Sequence, residues 1–353
     1  MNVLGIESSC DECAAAVVRD GRQIVSDVVY SQIEEHRPYA GVVPEIASRK
    51  HIEWIDEVVA RALREANTRI EAMDAIAVTH RPGLIGSLLV GLSYAKGLAL
   101  ASGKPLVAVD HIQAHLHSPA LEHELTYPHL ALLLSGGHTL IVLVSAWDRH
   151  EILGATIDDA CGEAFDKVAK HFEFGYPGGV AVQELARHGD ADAYRFPVPS
   201  LHKGNHPYDV SYSGLKTAVV HQREQFRRPG YEATDADLAA SFQRTAIDIV
   251  VDKALAAAQE NACELLVAVG GVAANTYLRA RLDAAPVTAL YPSLRLCTDN
   301  AAMIAGLGYH VLQRDGGSGL AVNASARVAE FRARYPYDDR LAPVTAGCPG
   351  DSR

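Results

Sequence analysis

The chain has no excess of basic charge: 43 acidic residues outnumber 32 basic ones, leaving a net charge of −11. A broad basic surface that neutralises nucleic-acid phosphates is thereby excluded, so any contact with nucleic acid has to be local or shared with another chain. The local candidates are Arg223, Arg227 and Arg228, the pair Arg279 and Arg281, and Lys203 among its histidines, and each reads equally as a solvated helix face. Cysteine is sparse. Six are scattered over 353 residues, a pattern of reduced thiols and not of a disulfide framework. Cys10 and Cys13 have CxxC spacing without a second pair, for which buried thiols beside a strand are the simpler reading. No basic stretch precedes the first apolar run, so residues 1–10 read as a strand instead of a secretory signal, and a cytoplasmic protein is expected. Long hydrophobic runs are also missing, apart from residues 83–101. Lys96 and recurrent Gly and Ser interrupt that run, so it is expected as a buried helix and no membrane span is predicted.

What is present is ordinary globular composition, 48% hydrophobic and 21% charged, in a chain long enough for two cores. Short apolar runs at 3–6, 14–18 and 24–30, with Asp20-Gly21 between the last two, predict an antiparallel start. Helical periodicity over 52–66, a buried strand at 75–79, a helix at 83–102 and a strand at 105–109 follow, the alternation of a mostly parallel sheet. A similar cycle begins after Asp110: strands near 130–134, 139–144 and 151–155, then helices at 159–172, 179–188, 213–226 and 235–261, a strand at 265–269 and a helix at 275–285. The expected architecture is therefore α/β with two lobes around a cleft, over 1–110 and 111–325. A poorly ordered tail is expected over 326–353.

His111 and His115 stand four apart in a helical segment, which stacks both imidazoles on one face and suits either a shared metal ion or a structural pair. A zinc-protease HExxH is excluded because Ile112 occupies the position of its general base. Asp299, between a strand and an apolar helix, offers a carboxylate to complete the shell, or else caps the helix. Two imidazoles and a carboxylate leave coordination positions open, which suits ferrous iron, with zinc or another divalent ion as the alternative. Paired glycines end two predicted strands, in Ser135-Gly136-Gly137-His138 and in Gly270-Gly271 ahead of Asn275. Such ends let backbone N–H groups approach a phosphate closely, which points to a nucleotide cleft. Asp159, Glu163 and Asp166 share a helix face with Lys167 and Lys170 beyond them, an order that also satisfies the helix dipole. Gly178 and Gly179 then open a further helix.

Taken together, the motifs VLGIESSCDE, YSQ, GVVPEIASRKH, RPGLIGSLLVG, HIQAH, LSGGHT, IDDACGEAFDK, YPGG, YSGLKT, GGVAAN and CTDNAAMIA, in order from Met1 to about Gly308, resemble the TsaD (Gcp, YgjD) family of tRNA N6-adenosine threonylcarbamoyltransferases. The resemblance implies the actin-like ATPase and sugar-kinase fold, two ribonuclease-H-like lobes around a nucleotide cleft. It implies transfer of a threonylcarbamoyl group from threonylcarbamoyl-adenylate to the adenosine 3′ of the anticodon, in tRNAs that read codons beginning with A. By the same resemblance His111, His115 and Asp299 are ligands of one ferrous iron. Leu134, Ser135, Gly136, Gly137 and His138 form the substrate loop, and Asp166, Gly179 and Asn275 make further contacts to the adenylate. Gln183 departs from the acidic residue of many members. The implied partners are tRNA, a TsaB-like paralogous subunit and a TsaE-like ATPase. Rival readings are an ATP-dependent phosphotransferase on the same fold and a non-catalytic scaffold subunit.

Overall fold

The computed structural model describes residues 1–198 and 207–327; the tail expected over 326–353 lies almost wholly outside the described residues, as does Lys203. Strands β1 (Asn2–Glu7), β2 (Glu12–Arg19) and β3 (Gln23–Ser31) form an antiparallel run, to which β4 (Ala75–Arg81) and β5 (Leu106–Asp110) add in parallel, giving the order β3-β2-β1-β4-β5. Between them lie the short α1 (Ile33–His36), α2 (Pro44–Glu65) and α3 (Ile85–Ser102). The second sheet repeats the plan. Its strands β6 (His129–Leu134), β7 (Thr139–Ala146) and β8 (Arg149–Ala155) are antiparallel, while β9 (Leu265–Val269) and the three-residue β10 (Thr288–Leu290) run parallel to β6, in the order β10-β9-β6-β7-β8. Its helices are α5 (Cys161–His171), α6 (Gly178–Ala186), α7 (Ser213–Phe226), α8 (Asp235–Glu260) and α9 (Thr276–Asp283).

Each sheet buries both faces, as parallel strands under crossover helices must. Strand alternation sends Leu4 and Ile6 of β1, with Ile76 and Val78 of β4, toward α2 and α3. Val3, Ala75 and Ala77 face the opposite way, toward α11 (Ala301–Asp315). The segment 111–325 was expected as the second lobe, yet α11 lies on the first sheet. Residues beyond it follow, with Ser318 donating its N–H to Leu106 and Ser325 to His80. The physical reason is a matched stripe of small residues. A Cβ placed on Gly5 would stand 2.3 Å from the Ala301 carbonyl, and one on Gly308 would stand 2.5 Å from the Ala77 Cβ. The chain thus crosses between lobes after the short α10 (Leu294–Cys297), carrying Asp299 with it.

The helix α4 (His111–His117) is the other bridge. Ile112 and Leu116 pack into the core over β6, β7 and β9, while Ala114 joins the core beneath α11. Asp110 caps α4 by accepting from the Gln113 N–H at 3.1 Å and is itself held by Arg81 at 3.1 Å. With its apolar positions spent on two cores, α4 leaves His111 and His115 at the seam.

Helix α3 has the length and apolar composition of a membrane span, and 33% of it is buried. Its exposed Leu89 lies with the exposed Ile52 of α2 around a shallow groove that also includes Ile55, Val90 and Tyr94.

Overpacking the tight face of the first sheet gives a direct test of this arrangement. Gly5→Ala is expected to lower unfolding free energy by about 1–3 kcal/mol, because the new methyl meets helix backbone that cannot swing away. A denaturant midpoint equal to that of the parent chain would show that α11 does not press on β1.

Candidate metal centre and nucleotide cleft

Three side chains from two distant segments converge at the seam. The His115 Nε2 lies 3.0 Å from the Asp299 Oδ1, and the His111 Nε2 lies 3.6 Å from the same oxygen. One ligand atom from each residue falls within 4.8 Å of the others, a spacing that one ion can bridge. Both imidazoles are buried, and the rings meet edge to face with centroids 4.6 Å apart. Asp299 does not cap α11; Asn300 does, accepting from the Met303 N–H at 2.9 Å. That division of labour turns the Asp299 carboxylate into the cleft.

The charges respond to one another. Burial opposes ionisation of Asp299, but the imidazoles of His111 and His115 outweigh it and hold the carboxyl well below its usual range. Burial likewise opposes charge on His111, yet Asp299 and Glu7 prevail and raise it to about 9. A carboxylate and imidazoles held this closely in a buried site suit a divalent cation, which takes N and O ligands of this kind. The surroundings are acidic too: Glu12, from the CDE motif, is pushed up by burial and then by Asp11 and Asp299. A phosphate entering such a cleft needs a compensating positive charge.

The predicted substrate loop adjoins this centre. Leu134 ends β6, fully buried, and residues 135–138 close a tight turn: Ser135 donates its N–H to the His138 carbonyl at 2.8 Å, and the His138 N–H donates to the Ser135 hydroxyl at 3.0 Å. His138 is lowered to about 4 by burial and then by His111 and His115, which places it within electrostatic reach of the pair. Gly136 and Gly137 have open space where a side chain would stand, as do Gly179 and Gly271. Backbone bared in this way is one that a phosphate can approach closely. Gly270 is different. Its φ is +90°, and a Cβ there would lie 2.3 Å from the Leu134 carbonyl, so glycine is required for β9 to end against β6.

The remaining expected contacts have local partners. Asp166 accepts from the Gly178 N–H at 2.8 Å, fixing the turn that exposes Gly179, and burial, with Asp11 and Glu163 adding, pushes its carboxyl up to about 6. Asn275 accepts from the Tyr277 and Leu278 N–H groups and donates to Gln243, so its amide caps α9. Gln183, the departure from the family pattern, accepts from the Thr276 N–H at 2.8 Å and ties α6 to α9. Asp159 pairs with Lys167 and Lys216, and Glu163 with Lys167, a structural use of that helix face. Cys10 and Cys13 are free, and burial pushes the Cys13 thiol to about 12, which removes it from thiolate chemistry. Most of the candidate arginines have acidic partners, Arg223 and Arg227 sharing Glu224, Arg228 with Asp192, and Arg281 with Asp248 and Asp252, whereas Arg279 donates to the Ala273 carbonyl and lies over the Tyr291 ring. Sequence reading missed Glu7, Ser9 and Thr79 around His111. Its available signal was a carboxylate closing the apolar strand VLGIE.

The family model for TsaD, tRNA N6-adenosine threonylcarbamoyltransferase, matches residues 23–306. A curated protein of that name from Treponema denticola is 54% identical over 332 residues, covering 94% of this chain and 98% of its own length. One from Treponema pallidum is 52% identical over 343 residues, covering 97% of both chains. Among solved structures, component A of (R)-2-hydroxyglutaryl-CoA dehydratase from Acidaminococcus fermentans aligns with a TM-score of 0.54 at 15% identity, over 88% of this chain and 98% of that one. Full-length HypF aligns at 0.60 and 15% identity over 90% of this chain and 47% of its own. At such identities these two report the fold, that of the actin-like ATPases, which agrees with the duplicated sheets.

Asp166 yields a measurable consequence. Its folded pKa lies above the unfolded value, so the folded state binds the proton more tightly and loses stability as pH rises through about 4 to about 6. Asp166→Asn, which can still accept from the Gly178 N–H, should therefore be more stable than the parent by about 1–3 kcal/mol at pH 7. The difference should vanish below pH ~4. Equal stability at both pH values in denaturant titrations would refute the buried, destabilised carboxyl.

Proposed function

Because the chain belongs to the TsaD family of tRNA N6-adenosine threonylcarbamoyltransferases, we propose that its seam between the lobes is the transfer site, where His111, His115 and Asp299 hold one divalent cation and the 134–138 loop receives a threonylcarbamoyl-adenylate donor. The chain is a transferase that modifies N6 of an adenosine in tRNA. The observation that carries the site reading is the approach of two imidazoles from α4 to the carboxylate of Asp299, 184 residues beyond His115, beside a turn whose Gly136 and Gly137 leave their backbone bare. The donor set favours ferrous iron, and zinc accepts a similar one. When bound, such a cation supplies Lewis-acid polarisation of a donor oxygen and offsets phosphate charge in an acidic cleft.

The chemistry asks little more of the protein. In the adenylate the carbamoyl carbonyl is already joined to phosphate as a mixed anhydride. The adenosine amine attacks that carbon, the new C–N bond forms, the C–O bond to phosphate breaks, and AMP leaves with the electron pair. The amine's surplus proton passes to solvent. What the chain contributes is binding and orientation. Gly136 and Gly137 admit the phosphate to the backbone of the loop, and Asp166 fixes the turn that bares Gly179. His138, held neutral by burial, offers hydrogen bonding beside the histidine pair.

Association with a TsaB-like paralogous subunit and a TsaE-like ATPase belongs to the same proposal, as does a cytoplasmic location where tRNA is available. Support comes from two features. Ile52 is 67% exposed and Leu89 49% exposed, on a face of α2 and α3 where apolar surface is costly to leave wet. Most arginines of the candidate clusters are engaged with acidic neighbours and the chain is acidic throughout, which favours sharing tRNA binding with another chain.

Two outcomes are expected from a reconstitution with labelled threonine, bicarbonate, ATP, an adenylate synthase, the partner subunits and tRNA. His111→Ala and His115→Ala should each lower label transfer to tRNA by roughly 100-fold or more while far-UV circular dichroism is unchanged, and chelation should mimic them. Full transfer by a metal-stripped double variant would refute the assignment. Ile52→Asp with Leu89→Asp should abolish co-purification with the paralogous subunit; retention of the complex would remove this face as its docking surface.

A further inference from the structure

We propose that Glu7 is a positioning residue for the metal centre, a buried carboxylate that fixes the tautomer and orientation of His111. The inference rests on the reading of His111, His115 and Asp299 as metal ligands, and it begins from strand parity. On β1, Val3, Gly5 and Glu7 share the face turned toward α4 and α11; on β4, Ala75, Ala77 and Thr79 do the same. Small residues fill that face where α11 presses on it, and the two polar side chains come last, where the strands end beneath His111.

Glu7 is completely buried, so each lone pair without a donor is costly. Its Oε1 accepts from the Ser9 N–H at 2.5 Å, and its Oε2 accepts from the Thr79 hydroxyl at 2.6 Å. The same Oε2 lies 3.1 Å from the His111 Nδ1, with the Ser9 hydroxyl 3.2 Å from that nitrogen. Both carboxylate oxygens are thus already acceptors, and the imidazole supplies the third donor. The Nδ1 of His111 therefore carries hydrogen, which leaves its Nε2, 3.6 Å from the Asp299 oxygen, as the nitrogen that would hold an ion once its own proton is released. A metal-ligating imidazole needs this arrangement, because a carboxylate on the distal nitrogen sets the ring angle and raises the basicity of the ligating one.

The contrast with His115 shows what Glu7 adds. The His115 Nδ1 is buried with no hydrogen-bond partner among the described residues, so its ring is held by packing and by Asp299 alone. His111 is the ligand whose orientation the first lobe dictates, through Glu7 on β1 and Thr79 on β4. A merely structural ion pair between Glu7 and His111 would occupy the same atoms but would leave metal affinity indifferent to the carboxylate.

The test is metal binding by the full chain, stripped of metal and titrated with cobalt(II), read by visible absorption and by the dissociation constant. His111→Ala is the control. Glu7→Gln is expected to weaken cobalt binding roughly 10–100-fold and to shift its ligand-field bands. Thr79→Val, which deletes one donor to Glu7 without touching His111, should weaken it a few-fold and keeps the test decisive should Glu7→Gln fail to fold. Parental affinity and spectrum in both variants, while His111→Ala loses cobalt, would overturn the role of Glu7 alone. Equal cobalt binding by the parent chain and His111→Ala would overturn the metal reading and this inference with it.

Discussion

The carboxylate of Asp299 stands between two buried imidazoles, and the rest of the molecule is arranged to let it arrive there. A buried anion is tolerated only beside positive charge or several donors. Asp299 gains its partners from α4, while Asn300 relieves it of the capping duty that its position before α11 would otherwise impose. Two adjacent residues thus divide two tasks, one for the helix and one for the cleft. The centre depends on that division.

Both elements that meet at the centre are bridges. Helix α4 spends Ile112 and Leu116 on the second lobe and Ala114 on the core beneath α11. Helix α11 follows the second lobe in the chain but packs on the first sheet through a stripe of alanine and glycine. Because α4 and α11 also pack on each other, the histidines and the carboxylate are held together at the edge of the first sheet. The carboxylates of Glu7 and Asp299 add an electrostatic bias in favour of a cation, and Gly136 and Gly137 in the neighbouring turn leave their backbone bare.

Several polar residues near the cleft are engaged in holding backbone. Asp166 fixes the turn before α6, Asn275 caps α9, and Gln183 ties those two helices together. Such contacts rigidify the walls of the space instead of reaching into it, which is how a site gains its geometry before a ligand enters. Burial raises the Asp166 carboxyl, so holding it ionised costs stability.

Local pattern carried much of this into the sequence. The two hairpin-led cycles, the strands at 75–79 and 265–269 and the long helix near 235–261 follow from periodicity and turn residues, which act over a few positions and are written in the chain. The i,i+4 histidines were legible for the same reason, as were the glycine pairs at strand ends. What the sequence could not hold was any fact that depends on which elements pack together. The three-residue β10 lacks a pattern of its own, and α11 reads as part of the second lobe until the small residues of β1 and β4 are seen beneath it. Glu7 looks like the polar end of a strand until strand parity and the position of α4 bring it to the Nδ1 of His111, 104 residues away. Residue type and spacing determined the available chemistry; the packing of two lobes on α4 and α11 decided which groups meet, because contact between distant residues is set by the burial of whole faces and not by local order.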